Sequence, residues 1–252
     1  MPSKGIRKVG LARALSKLGY CSRSQAVELI HAGRVRVNGS VRREPETPVR
    51  VDKDHITINE RPVEAARKIY LMMNKPRGLV TTASDEKGRE TIYAVLAKAS
   101  ESLPWVAAVG RLDKASEGLL LLTNDSEWGA RIAAPETHVE KIYHVQIGTV
   151  VDASFAQALI SGVTDQDGEL LRAASARLLR SGEKNCWLEI VLDEGRNRQI
   201  RRMLAALQAE VLRLVRVAIG PVSLGNLAKG AFRALTEEEK RGLDRVARAS
   251  IS

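Results

Sequence analysis

The stretch GRLDKASEGLLLLTND, residues 110–125, joins a charged turn to an unbroken apolar run. Residues 119–123 have strand length, and a second apolar run at 106–109 precedes the turn. Runs without polar alternation belong to strands covered on both faces, so the pair predicts a buried central sheet. The turn then places Asp113 at the sheet rim beside Arg111 and Lys114, where a carboxylate is held ionised. Taken alone, the same turn is more simply an aspartate in a surface loop.

Outward from this stretch, residues 69–73 read as a short strand entering the turn NKPRG, 74–78. Further strands are expected at 142–147, 173–179 and 187–192, and helices at 92–99, 154–159 and 198–207. Strands and helices are intermixed without regular βαβ alternation, which favours an α+β fold over a doubly wound one. Residues 59–68, NERPVEAARK, are polar with Pro62 interrupting regular structure, and read as a linker.

The 252 residues carry a formal charge of +10, and 44% are apolar, enough for a core and too many for a disordered polycation. Aromatics, at 4%, are too few for a single-strand binder built on rows of stacked bases. Residues 1–43 hold ten Lys and Arg (Lys4, Arg7, Lys8, Arg13, Lys17, Arg23, Arg34, Arg36, Arg42, Arg43) against one acid, Glu28. The rest of the chain is nearly neutral. A basic end on a neutral body points to a separate polyanion-binding module, against the plainer reading of a soluble basic face.

That basic end is patterned. Leu11, Leu15 and Leu18 recur at helical spacing and Gly19 ends the helix; Ser22 and Gln25 form a capping box for a second helix. Val27, Leu29 and Ile30 are its expected apolar stripe, and Gly33 its stop. RVRV, 34–37, alternates at period two and meets Asn38-Gly39, a hairpin signal. The strand separates its valines from its arginines, and Val41, Val49, Val51, Ile56 and Ile58 continue as short strands. Residues 8–60 resemble the alpha-L RNA-binding motif, named after small-subunit ribosomal protein four. The resemblance implies RNA phosphate contacts at Arg13, Lys17, Arg23, Arg34 and Arg36, which position RNA without reading its sequence.

Cys21 and Cys186 form no CxxC, and His31, His55, His138 and His144 lack metal-ligand spacing. No apolar stretch approaches the roughly 20 residues that span a membrane. The Arg-rich start superficially resembles a transit peptide but leads straight into structured patterning, so a cytoplasmic, reduced protein is expected. GxGxxG, GxxxxGK, GxSxG and HExxH are absent from the sequence.

Two more clusters carry chemistry. In EGRNRQIRRM, 194–203, Ile200, Met203, Leu204 and Leu207 make a helical stripe with Arg198 and Arg202 on the outer face. Arg201 lies roughly 100° from Ile200, where an arginine is half buried and reaches a carboxylate in the core. The plainer reading is a solvated basic helix. In EKIYHV, 140–145, alternation puts Lys141, Tyr143 and Val145 on one face, making Tyr143 a base-stacking candidate or simply a core tyrosine.

The order NKPRG, GRLDKASEGLLLLTND, EKIYHV and EGRNRQIRRM closely resembles the RsuA/RluB-type ribosomal RNA pseudouridine synthases, for which an alpha-L module is the usual companion. With that module the resemblance spans most of residues 8–236. It implies an alpha-L RNA-binding domain at 1–60, a linker at 61–68, a catalytic domain at 69–236 with a mainly antiparallel mixed sheet flanked by helices, and a C-terminal tail at 237–252. Asp113 matches the catalytic aspartate, Tyr143 the tyrosine that stacks on the target base, and Arg201 the arginine paired with the aspartate. Asn74, Lys75 and Pro76 match a motif supporting the active-site loop. Lys75, Arg111, Lys141 and Arg198 are further expected RNA contacts, and Leu112, Leu119, Ile142 and Val191 expected apolar walls.

The implied reaction breaks the N1–C1′ bond of uridine, turns the uracil and rejoins it through C5. Asp113 acts either as nucleophile or by removing the C2′ proton to give a glycal. No metal or cofactor is implied. The expected partner is ribosomal RNA, large subunit favoured, free or in a pre-ribosomal particle, with the protein a monomer off the membrane. The alternative is a non-catalytic RNA-binding or ribosome-assembly factor. An aminoacyl-tRNA synthetase lacks its nucleotide signature here and would carry the module at the other end; a deaminase lacks its His/Cys zinc site.

Overall fold

The computed structural model describes residues 8–83, 85, 88–99 and 103–249. Lys4 and Arg7 of the basic end lie outside these.

At the front, a strand β1 (Val9–Gly10) leads into α1 (Leu11–Lys17) and α2 (Arg23–His31). Ser22 and Gln25 close the expected capping box, each bonding the other's backbone N–H. The buried residues of α2 are Ala26 and Ile30 rather than Val27 and Leu29, which only pack at the margin. Strands β2 (Val35–Val37), β3 (Ser40–Val41), β4 (Pro48–Val49) and β5 (Ile56–Ile58) follow. Val35 and Val37 face the core with Arg36 outward. Asn38 and Gly39 both adopt positive φ, which gives the tight turn its twist. Residues 61–68 depart from a plain linker: β6 (Arg61–Pro62) pairs with β5, because a proline at a sheet edge gives up no ladder bond.

The body is organised by β9 (Glu117–Thr123), which follows β7 (Tyr70–Lys75), α3 (Ile92–Ala99) and β8 (Ala107–Val109). Every residue of β9 is buried, as its unbroken apolar run requires. Leu119 and Leu121 pack with Met72, Trp128 and Leu243, while Leu120 and Leu122 pack with Met73, Ile92 and Leu96. Losing one such leucine to alanine costs about 2–5 kcal/mol.

After β9 come α4 (Ser126–Ala133), a 3-10 turn at Pro135–Thr137, β10 (Lys141–Ile147), α5 (Ala153–Ser161), β11 (Val163–Thr164) and β12 (Leu170–Leu171). Then follow β13 (Ser175–Ser181), β14 (Cys186–Leu192), α6 (Gln199–Ala206), β15 (Val211–Ile219), β16 (Val222–Ser223), β17 (Phe232–Ala234) and α7 (Glu237–Ala249).

The large sheet runs β13-β14-β10-β15-β9-β7-β17, with β16 added on β15 and β8 on β9. All its pairings are antiparallel except β15 with β9. The fold is therefore α+β, with the mixed, mainly antiparallel sheet flanked by helices. At the parallel pairing, Gly118 has φ +105, and a Cβ there would meet the Arg216 carbonyl oxygen at 2.3 Å. Only glycine lets the two strands approach this closely.

Three elements exceed the sequence expectations. β15 is a nine-residue strand at the heart of the sheet, and its alternation is masked by Arg216 on the buried parity. α4 is capped by Asp125, which accepts from the Trp128 N–H. Residues 237–252 begin not as a loose tail but as α7, where Thr236 and Glu239 form a capping box and Leu243 and Ala247 are buried.

Candidate functional site

The loop 110–116 between β8 and β9 is held through its backbone. Lys75, fully buried at the end of β7, donates to the carbonyls of Ser116 (2.8 Å), Pro76 (3.1 Å) and Asp113 (3.2 Å). The Gly78 N–H donates to the Lys114 carbonyl at 2.8 Å, and the Thr81 hydroxyl to that of Leu112 at 2.8 Å. The NKPRG segment is thus a clamp on the aspartate loop. Lys75 is not an RNA contact: burial removes it from any phosphate. Burial pushes its ammonium down to about 8, with Asp113 and Glu117 opposing the shift and Arg216 adding to it.

Arg198 and Arg201 approach the same loop from α6. Arg198 does not lie on the outer helix face. It caps the helix in the left-handed region, φ 49, which turns its side chain back until Nη1 is 4.0 Å from Asp113 Oδ2. Arg201 bonds the loop instead of the carboxylate: its Nη2 donates to the Ala115 carbonyl at 3.1 Å and approaches Ser116 Oγ at 3.5 Å. Its Nε is buried without a partner among the described residues. Burial, then the neighbouring Arg198, lowers the basicity of Arg201, with Asp113 partly restoring it.

Tyr143 on β10 and Arg216 on β15 are cross-strand partners beside a bulge in the ladder. Arg216 is 5% exposed; its Nε donates to the Leu119 carbonyl at 2.7 Å, while its Nη2 is buried and unpartnered among the described residues. Lys141, two residues before Tyr143, is shifted down by burial and by Arg216. Asp113, Tyr143, Lys141, Arg198, Arg201 and Arg216 line one cavity of about 180 Å³, with Arg111 and Arg196 also on its lining. Drug-sized sites run to roughly 300–1,000 Å³, so this one suits a single ring.

Of the expected apolar walls, Leu112 is present. Leu192, Ile200, Leu214 and Ile219 complete the wall in place of Leu119, Ile142 and Val191. Ile142 and Val191 are register partners one residue out of phase with the cavity face, and Leu119 belongs to the core.

The cavity's chemistry is lopsided. Several cationic donors surround one carboxylate, and two guanidinium nitrogens have no acceptor among the described residues, a costly arrangement unless a ligand supplies one. An acceptor-rich planar ring meets that demand. Sequence reading missed Arg216 and Arg196; the interruption of VLRLVRVAI by arginine on the buried parity was the available signal for Arg216.

The loop's far end is fixed by Glu117, 4% exposed. Burial works to raise its pKa, but hydrogen bonds from Arg213 (2.6 Å) and Lys229 (2.8 Å) overcome this and hold it below the usual range. At α6, Gln199 donates to the Arg172 carbonyl and to Glu194, and accepts from the Arg196 N–H, which fixes the turn carrying Arg198. Arg202 is paired with Asp165 and Glu169 and stands away from the cavity.

The expected RNA contacts of the front lie apart from this cavity. Arg13, Arg23, Arg34 and Arg36 are exposed. Arg34 donates to Asn59 and Arg36 to the Gly39 carbonyl. Lys17 bonds Glu127 of α4 at 2.9 Å, so it bridges the front to the body rather than standing free for phosphate. Both cysteines are buried and free. Among the described residues no cluster of His, Cys, Asp and Glu could hold a metal, and no helix is long and apolar enough to cross a membrane.

Known proteins share this organisation. The RNA pseudouridylate synthase family matches residues 69–206, and the S4 domain family matches residues 9–56. An uncharacterised RNA pseudouridine synthase of Aquifex aeolicus is 37% identical, covering 93% of each chain. Ribosomal large subunit pseudouridine synthase B of Bacillus subtilis is 33% identical over 94% of this chain and 96% of its own. A crystal structure of a pseudouridylate synthase superposes with a TM-score of 0.63 at 30% identity, covering 93% of this chain and 99% of that one.

Proposed function

The chain belongs to the RNA pseudouridylate synthase family and carries an S4 domain at its front, and from that membership we propose that it converts one uridine of ribosomal RNA to pseudouridine with Asp113 as the reacting carboxylate. The observation that carries this reading is the immobilised loop, which holds Asp113 at a ring-sized cavity beside Tyr143. The name of the Bacillus subtilis relative favours the large ribosomal subunit.

The target base leaves its stack at a cost of a few kcal/mol, offset by stacking on Tyr143 and by cationic contacts. Asp113 then either attacks C1′ or removes the C2′ proton. In both routes the N1–C1′ electron pair departs with the uracil, whose negative charge spreads to its carbonyl oxygens. Arg216 Nη2 and Arg201 Nε are the donors with spare capacity to receive that charge, and both are buried, where such donors count most. The uracil turns and C5 bonds C1′ as the Asp113 carboxylate leaves C1′, or, in the glycal route, as Asp113 returns the proton to C2′. The C5 proton is then released to solvent and N1 takes up a proton. Arg198 and Arg201 keep the carboxylate and its loop in place.

Tritium release from ribosomal RNA bearing 5-tritiated uridine tests the assignment, since C5 loses its hydrogen in the product. Asp113→Asn is expected to bind RNA as wild type and release no tritium; normal release would overturn it. Pseudouridine mapping in cells with and without the protein identifies the position and the subunit.

A further inference from the structure

The half-sheet β13-β14-β10-β15 is covered by helices on one face only. Val145, Ile147, Leu188, Ile190 and Leu214 pack with Leu159 of α5 and with Ile200 and Met203 of α6. The residues that alternate with them, His144, Gln146, Trp187, Glu189, Arg213, Val215 and Val217, are all only partly buried. This open face lies on the opposite side of the sheet from Tyr143 and Arg216.

A transverse row crosses it: Arg180, Trp187, Gln146 and Arg213 are register partners on four successive strands. The Arg180 guanidinium lies 5.0 Å from the Trp187 ring centroid and that of Arg213 lies 5.8 Å away. Beside the row is a hollow of about 360 Å³, with Trp187 as a wall, Val215 and Val217 beneath, and Arg180, Arg213 and His144 at its rim. The carboxylates of this face are already engaged. Glu189 bonds Arg177 and His144, and Glu117 bonds Arg213 and Lys229. Arg180 and Lys184 are exposed, and their side chains make no hydrogen bond or ion pair with any described residue.

We infer that this hollow is a second RNA-docking site, in which one unpaired nucleobase of the substrate RNA stacks on Trp187 while Arg180 and Lys184 meet the flanking phosphates. The inference rests on the reading above only in taking RNA as the ligand. A tryptophan edged by guanidiniums over a small apolar floor is the chemistry of nucleotide binding. A protein-docking patch is also enriched in Trp and Arg but depleted of Lys, so the exposed Lys184 beside Arg180 favours a polyanion. Because Arg213 is tied to Glu117, Arg180 is the member that yields its place over the ring to a base. The cleft and the hollow alternate along β10 and β15, so an RNA held at both grips the sheet from its two sides.

The test uses the full-length protein and a short labelled single-stranded RNA of mixed sequence, with tritiated ribosomal RNA for turnover. RNA is expected to quench Trp187 fluorescence, since Trp128 is 2% exposed and Trp105 is stacked on Tyr93. Arg180→Glu, a surface change, and Trp187→Leu should each weaken oligonucleotide binding about 5- to 100-fold. Both should raise KM with kcat unchanged, and Trp187→Leu should remove the quenching. Asp113→Asn should retain the quenching, so failure of the catalytic assignment is read separately. Unchanged affinity and KM in both variants would overturn the inference. So would intact RNA binding accompanied by loss of a ribosomal protein partner.

Discussion

The front and the body use the same residue types in opposite physical settings. At the front, Arg13, Arg23, Arg34 and Arg36 are exposed over a small core of Leu11, Leu15, Ile30 and Val35. In the body, Lys75 and Arg216 are buried, Arg201 and Lys141 are half buried, and the hydrogen bonds of Lys75, Arg201 and Arg216 go mainly to backbone carbonyls of the loop and of β9. Exposed cations act over distance and weaken with salt; buried ones act at one place, and salt barely reaches them. In the function proposed above, the first set holds a polymer and the second poises a site for one base.

The widest gap between the two regions is expected from Asp113→Asn. Turnover should fall about 10³-fold or more while RNA affinity stays put. A variant that also lost affinity would break the division, because the cleft would then be holding RNA as well as reworking it.

Arg216→Met comes next, with kcat lower by roughly 10²-fold through loss of one preorganised donor. KM for ribosomal RNA should change little, and single-turnover assays separate the two. Arg216→Lys should recover part of the loss. Replacing Arg13, Arg23, Arg34 and Arg36 together by Gln should do the reverse. Affinity should fall on the order of 10²-fold at low salt, with a log–log salt slope shallower by about three to four. If kcat at saturating RNA fell equally, the front would belong to the catalytic machinery.

Legibility in the sequence follows the same divide. Contiguous motifs with one local rule were readable: the Ser22–Gln25 capping box, the Asn38-Gly39 turn and the buried run of β9 all formed as their residues dictate. Groups whose role depends on packing were not. Lys75 looks like any lysine in a basic turn, and only the depth of β7 makes it a clamp. Arg216 hid the central strand β15, since an inward arginine breaks the apolar alternation by which strands are found. A helical wheel puts Arg198 on the outer face, whereas it precedes the helix in a left-handed conformation.

Lys75 also sharpens the contrast through pH. Its folded pKa lies near 8, below the ordinary 10.5. Between those values the unfolded chain holds the proton more firmly, so the contribution of this residue to stability rises with pH across that window. Function should move the other way. The neutral amine has two N–H groups for three carbonyls, so the loop loses a bond and kcat should drop a few-fold above about pH 8. Urea unfolding of wild type against Lys75→Met from pH 7.5 to 10 reads the first trend, and a wild-type kcat profile the second. A stability difference that is flat with pH would remove Lys75 from the account.

The smallest effect is expected where the two regions touch. Lys17 and Glu127 join α1 to α4 at 2.9 Å, but their side chains are 25% and 79% exposed. Such a pair contributes about 0–1 kcal/mol, because water and salt screen it. Lys17→Met, Glu127→Gln and the double variant form a cycle whose coupling, read from thermal unfolding, should stay within that range. kcat/KM should shift less than about two-fold. A larger shift, reproduced by both single variants and absent on adding the second, would mean that the front orients RNA toward Asp113 through this contact. The exposed cations would then aim the RNA as well as hold it, and the boundary between holding and reacting would run through α1 rather than between the two regions.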